Sequence, residues 1–170
     1  ICKRRGYFMY KQVVCFWRRK DEIVMLNRDY APVQGLWNGV GGKKRENELP
    51  LDCAIREVEE ETGIILSANE IAFKGIVTWN SDKEVHGGLY VYLAEMPNDF
   101  TYETPRKTSE GILDWKKISW LLDSDNLGTG EMIPHYLPNL LDHSKPLKHI
   151  CTIRQRKLTD YEYTCLDEHE

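Results

Sequence analysis

No stretch of this 170-residue chain approaches the ~18 consecutive apolar residues of a membrane span, so no membrane association is expected. Positive charge is not in excess either. The chain carries 23 Lys and Arg against 27 Asp and Glu, a net charge of −4, which gives no overall basic field for gripping a nucleic-acid polymer. The five cysteines (Cys2, Cys15, Cys53, Cys151 and Cys165) are odd in number, scattered and without a CxxC pair. Neither a zinc site nor a disulfide framework is indicated, and a reduced, cytoplasmic setting is expected. Internal repeats and low-complexity tracts are missing. The chain starts at Ile1, and its basic Lys3-Arg4-Arg5 lacks the apolar stretch of a signal peptide, so secretion is not expected. What is present is 41% hydrophobic and 11% aromatic residues, enough to bury the core of a single domain over residues 1–170.

Two apolar runs, Gln12 to Trp17 and Glu22 to Leu26, flank the polar Arg18-Arg19-Lys20-Asp21 and read as a hairpin. From Gly35 to Asn47 the texture changes to a loop, with four glycines (Gly35, Gly39, Gly41, Gly42) and the basic Lys43, Lys44 and Arg45. A helix follows from Pro50 to Thr62. Pro50 suits a first helical position, Asp52 complements the helix dipole, and Gly63 supplies a left-handed stop. Strands are expected over Ile71 to Trp79, Leu89 to Ala94 and Leu113 to Ile118, then a second helix from Pro134 through Leu141. His149 to Ile153 and Thr159 to Leu166 read as a closing hairpin. The fold class is α/β.

On a helical wheel Leu51, Ala54, Ile55, Val58 and Thr62 share the stripe that packs on the sheet. Glu57, Glu60 and Glu61 gather on a neighbouring face, and Glu59 points to solvent. Two readings fit this face: a solvated acidic surface, or a metal site. Like charges one turn apart cost roughly 0.2–0.5 kcal/mol per pair, and no Lys or Arg at helical spacing offsets Glu57 or Glu61. A hard divalent cation, Mg2+ with Mn2+ as substitute, would offset them and bridge to phosphates. Arg56, four residues before Glu60, is placed to orient carboxylates. The upstream loop is either a solvated surface loop or a phosphate cradle of amides with Lys43, Lys44 and Arg45.

These residues resemble a known family. Gly42, Glu48 and Arg56-Glu57-Val58-Glu59-Glu60-Glu61-Thr62-Gly63-Ile64 fill every fixed position of the Nudix box, GX5EX7REUXEEXGU. The resemblance implies a mixed β-sheet sandwiched between α-helices, magnesium held by the box, and hydrolysis of a nucleoside diphosphate linked to another moiety. It makes Glu57, Glu60, Glu61 and the Gly42 carbonyl metal ligands, Glu48 with Arg56 the supporting ion pair, and Glu57 the candidate base. Trp37-Asn38-Gly39-Val40-Gly41-Gly42-Lys43 further resembles the WNGxGGK segment of the MutT-type subgroup, which clears oxidised purine nucleoside triphosphates such as 8-oxo-dGTP. That likeness assigns Trp37, Asn38, Lys43 and Arg28 to substrate and Glu110 to the metal. Asn38 offers a purine edge both a donor and an acceptor.

This chain departs from the subgroup in two places. Asn47 and Leu49 stand where a glycine and a threonine are usual; Asn47 tolerates the left-handed turn, whereas Leu49 forfeits a cap of roughly 1 kcal/mol. Glu131-Met132-Ile133-Pro134 occupies the region where paired aspartates read 8-oxoguanine, with Asp123 and Asp125 spaced differently. Trp115, Trp120 and Tyr136 could stack on a base but more often belong to a core. The window Trp79-Asn80-Ser81-Asp82 lacks the Tyr or Pro that resemblance associates with dinucleoside polyphosphates and ADP-ribose. The expected partner is a small-molecule nucleotide. A non-catalytic nucleotide-binding module is the other alternative.

Overall fold

In the computed structural model, residues 10–82 and 86–166 are described, so Ile1, Cys2 and Lys3-Arg4-Arg5 lie outside the described residues. β1 (Gln12–Arg19) and β2 (Glu22–Arg28) form the expected antiparallel hairpin, turned through Lys20 at φ 54°. Their side chains alternate between two cores. Val13, Cys15, Trp17, Val24 and Leu26 face one side of the sheet, and Val14, Phe16, Ile23 and Met25 face the other. With both faces covered, these strands read as continuous apolar runs rather than alternating ones.

Pairing between β1 and β2 spans only Trp17↔Val24 to Arg19↔Glu22, after which the strands part. The glycine-rich segment fills the opening. β3 (Trp37–Asn38) pairs with Asn27 and Leu26 of β2, and β4 (Val40–Lys43) runs antiparallel to Gln12–Cys15 of β1. This corrects the expected loop from Gly35 to Asn47. The same glycines that suggest a loop permit a close approach: a Cβ on Gly41 would stand 2.1 Å from the Val13 carbonyl oxygen.

α1 (Pro50–Thr62) falls on its expected bounds and covers the first core with Cys53, Ala54 and Val58. β5 (Ile71–Ser81) and β6 (His86–Glu95) form an antiparallel pair, and β6 lies parallel to β1. The short β7 (Arg106–Lys107) pairs with β8 (Gly111–Lys117), which lines up along β2. α2 (Ile118–Leu121) takes Ile118 out of the strand expected there; neither it nor β7 is long enough to show periodicity. α3 (Ile133–Asp142) covers the second core with Ile133, Tyr136, Leu137 and Leu140. β9 (Leu147–Arg154) runs parallel to β5, and β10 (Lys157–Cys165) completes the closing hairpin.

The result is a ten-stranded mixed sheet, ordered β10-β9-β5-β6-β1-β2-β8-β7 with β3 and β4 beside β2 and β1, between α1 and α3. No helix among the described residues is long and apolar enough to cross a membrane. Cys15, Cys53 and Cys151 are free and buried, and burial pushes the Cys15 thiol up to about 12. Cys15 and Cys151 act as small apolar residues, whereas the Cys53 Sγ accepts from Arg56 Nη2 at 3.5 Å. Leu137 is fully buried between α3 and the sheet, so Leu137→Ala should cost about 2–5 kcal/mol in denaturant unfolding. A loss below ~1 kcal/mol would show that α3 is not part of the cooperative core.

Candidate active site

The chain enters α1 through Asn47, at φ 61°, and Leu49, which is extended and makes no side-chain cap. Only the Leu49 carbonyl serves the helix start, accepting from the Cys53 N–H at 3.0 Å. At the other end Gly63 is left-handed at φ 79°, and its N–H donates to the Glu59 carbonyl at 2.8 Å. Thirteen residues are thereby held in the helix.

Arg56 joins this helix to the loop before it. Its Nε and Nη2 donate to the two Glu48 oxygens at 2.7 and 2.9 Å, and Nη2 also donates to the Lys43 carbonyl at 3.2 Å. Its Nη1 reaches Glu57 at 2.7 Å and Glu60 at 3.1 Å. The cation beside Glu57 is not at helical spacing but adjacent in sequence: Arg56 is long enough to fold back over its neighbour. Arg45 adds a second bond to Glu60 at 2.9 Å, and its own N–H donates to Glu48 at 2.8 Å. Arg56 pulls the Glu48 carboxyl down to about 2, against the opposing effect of desolvation.

Glu61 is in the opposite situation. Burial pushes its carboxyl up to about 8, reinforced by the nearby charges of Glu57 and Glu110 and opposed by Arg28 and the Gly41 N–H. Its Oε2 is buried with no hydrogen-bond partner. Gly42 faces the Glu57 carboxylate so closely that an added Cβ would lie 2.4–2.5 Å from the carboxyl atoms. Glycines of β4 thus lie against α1, and charges from β2 (Arg28) and the turn before β8 (Glu110) act on Glu61.

The helix acids do not all converge. Glu60, with half of its side chain exposed, is turned to Arg45 and Arg56, and among the described residues no three acidic, His or Cys side chains already form a cage. Glu59 is exposed, as expected. Even so, the orphaned Glu61 oxygen, the like charges of Glu57 and Glu110 acting on it and a side-chain-free glycine suit a hard divalent cation. Glu57, Glu61 and Glu110, with the Gly42 carbonyl and Glu60, are the oxygens that would hold it.

Asn38 lines a separate cavity of about 270 Å³, with Leu36, Leu89, Met132 and Glu131 also in its wall. Its Oδ1 accepts from the Gly39 N–H at 2.9 Å. Trp37 is not in this cavity; it packs on the second core beneath the Lys116 ammonium, 4.0 Å from the ring centroid. Arg28 donates to the Pro32 carbonyl at 3.1 Å, and the exposed Lys43 side chain lines a different cavity. Tyr136 is buried, Trp115 packs against the first core under Arg19, and Trp120 is partly exposed. Asp123 lines a neighbouring cavity rather than the one with Asn38.

Sequence reasoning missed one wall. Ile153, Arg156 and Leu158, from the turn and strands of the closing hairpin, line the Asn38 cavity, and Glu131 Oε2 accepts from the Leu158 N–H at 2.8 Å. The hairpin's basic turn was its only advance signal.

The glycine-lined strand β4 leads through a short loop into the acidic helix, and the oxygens gathered there are of the kind a hard divalent cation takes. The NUDIX domain family matches residues 10–136, and the chain belongs to the Nudix family, hydrolases that act on acid anhydrides and generally use divalent metals. The mRNA-decapping protein g5R of African swine fever virus (isolate Pig/Kenya/KEN-50/1950) is 37% identical over 112 residues, 59% of this chain and 43% of the viral one. The chain therefore spans less than half the length of that relative. The uncharacterized Nudix hydrolase YvcI of Bacillus subtilis (strain 168) is 25% identical over 113 residues, 66% of this chain and 68% of YvcI. Among solved structures, a MutT protein from Bacillus halodurans shares the fold with a TM-score of 0.72 and 24% identity, covering 89% of this chain and 95% of that one.

A bound cation supplies Lewis acidity at a phosphoryl oxygen and lowers the pKa of water. This chain's residues provide the frame: Arg56 fixes the Glu57 carboxylate, and Glu48 fixes Arg56. Because the folded-state pKa of Glu48 lies below its unfolded value, its stabilisation is complete above about 4.5 and is lost as pH falls toward about 2. Glu48→Gln should therefore lower stability by roughly 1.5–3 kcal/mol at neutral pH and converge with the parent protein as pH approaches 2. Parallel denaturation curves across that window would contradict the ion pair.

Proposed function

We propose that the protein is a magnesium-dependent pyrophosphohydrolase that cleaves purine nucleoside triphosphates, oxidised ones such as 8-oxo-dGTP foremost, to the monophosphate and pyrophosphate. One observation carries this reading: Asn38, in the wall of the smaller cavity, and Gly42, against Glu57, lie on one nearly continuous extended segment. Four residues at ~3.3 Å each span roughly 13 Å, which a base, its sugar and the first phosphates can cover. The apolar Leu36, Leu89 and Met132 suit a flat base, and the Asn38 amide supplies donor and acceptor.

In this reading Glu57, Glu60, Glu61, Glu110 and the Gly42 carbonyl hold the metal, and Glu57 is the candidate base. Arg28 and Lys43 face phosphates, while Glu48 and Arg56 position the carboxylates. The free cysteines support a reducing, cytoplasmic setting. A second reading, in which the nucleotide is the cap of an RNA, is favoured by the 37% identity to a viral mRNA-decapping protein.

Pyrophosphate and nucleotide release should be measured with ordinary and oxidised triphosphates, ADP-ribose, dinucleoside polyphosphates and a capped oligoribonucleotide, with and without magnesium. Fastest magnesium-dependent turnover of an oxidised purine triphosphate is expected; fastest release from the cap would replace the first reading by the second. Glu57→Gln or Glu60→Gln should lower turnover at least a hundredfold, on the order of 2.7 kcal/mol of barrier. Near-parental rates would remove those acids from the site. Asn38→Ala should shrink the preference among bases while leaving magnesium dependence intact, and an unchanged preference would take Asn38 out of the pocket.

A further inference from the structure

Glu110 is carried on the tight turn between β7 and β8, and the Thr108 side chain closes that turn. Its hydroxyl accepts from the Glu110 N–H at 3.1 Å and from the Gly111 N–H at 3.2 Å. It also donates to the Gly111 carbonyl at 3.3 Å, the same oxygen that takes the Thr108 N–H at 2.8 Å. A side-chain oxygen here stands in for a backbone carbonyl, the device by which Ser and Thr shape local turns.

The turn is also fastened to β2. The Glu110 carbonyl accepts from the Asp29 N–H at 2.9 Å, and the Asp29 carboxylate pairs with the Lys107 ammonium. Gly111, at φ 154°, pairs with Arg28 and lies so close to β2 that a Cβ would collide with the Asn27 carbonyl oxygen. Neighbouring positions of one strand pair thus deliver two opposing charges to Glu61: Arg28 from β2 and Glu110 from the turn.

Such fastening opposes a real force. A carboxylate must be ionised to hold a metal, and with Glu61 ionised the like charge of Glu110 would drive the turn outward. Packing gives little resistance, since Ser109 is exposed and Glu110 only half-buried. Without the Thr108 hydroxyl, the Glu110 and Gly111 N–H groups lose the acceptor they share.

We propose that Thr108 is a positioning residue whose hydroxyl, by fixing the backbone of Glu110, holds that carboxylate at the cation site. The proposal rests on the reading of Glu110 as a metal ligand. Thr108 itself touches neither cation nor nucleotide.

The test is calorimetric titration of manganese into the parent protein, Thr108→Val, Thr108→Ser, Glu110→Gln and the double variant Thr108→Val/Glu110→Gln. Thr108→Val keeps the side-chain shape without the hydroxyl and should weaken binding about tenfold, the scale seen when a ligand's supporting partner is removed. Thr108→Ser should bind like the parent. Glu110→Gln should weaken binding at least tenfold, and adding Thr108→Val to it should change nothing further, because the hydroxyl then has no carboxylate to place. In hydrolysis, the magnesium concentration for half-activation should rise by the same factor in Thr108→Val, while kcat recovers at saturating magnesium. Unfolding curves show which variants are folded, and Thr108→Ala repeats the measurement should the valine variant not be. Parental affinity in Thr108→Val, or a loss that persists when it is added to Glu110→Gln, would overturn the proposal and leave Glu110 as a ligand. Parental affinity in Glu110→Gln, or no manganese uptake by the parent, would overturn the proposal together with the ligand reading beneath it.

Discussion

The arrangement depends on one guanidinium. Arg56 is the junction at which the glycine-rich segment, the loop after it and the acidic helix are tied together, because a single planar group bonds Glu48, Glu57, Glu60 and the Lys43 carbonyl. Its side chain is only 17% exposed, so these bonds form where solvent screening is weak. Without it, the carboxylates of Glu48 and Glu57 would be left partly buried with like charges nearby. A lysine could not substitute, since its ammonium lacks the planar fork that grips both Glu48 oxygens.

Glycine supplies the complementary constraint. β1 and β2 part after a short shared stretch, and only residues without side chains can fill the opening so closely: Gly41 against the Val13 carbonyl, Gly42 against Glu57. The parted strands therefore place a cavity of about 270 Å³ and an acidic patch on one short piece of backbone. The position of Glu61 follows from this. It reaches the Gly41 N–H with one oxygen and leaves the other buried and unpartnered, a cost that a cation would offset.

Much of this was legible in the residues. α1 could be bounded to the residue because Pro50 and Gly63 impose hard physical limits, whereas Glu110 came from the resemblance alone, and in the structure its charge acts on Glu61. The Gly35 to Asn47 segment misled because glycine has no side chain whose alternation could reveal β3 and β4. Trp37 looked like a substrate contact by motif, yet its ring is covered by Lys116, a neighbour set by pairing between distant strands. The hairpin wall of the Asn38 cavity was invisible for the same reason: Glu131 and Leu158 meet across 27 positions of sequence.

That wall also stands apart from the acidic helix. Ile153, Arg156 and Leu158 come from the closing hairpin, beyond the residues 10–136 that the NUDIX domain matches. Substitutions in β9 and β10 can therefore reshape what the pocket admits while the machinery on α1 stays untouched. Taste can drift here while the blade keeps its edge, so chains built on one catalyst can diverge in diet through this hairpin alone.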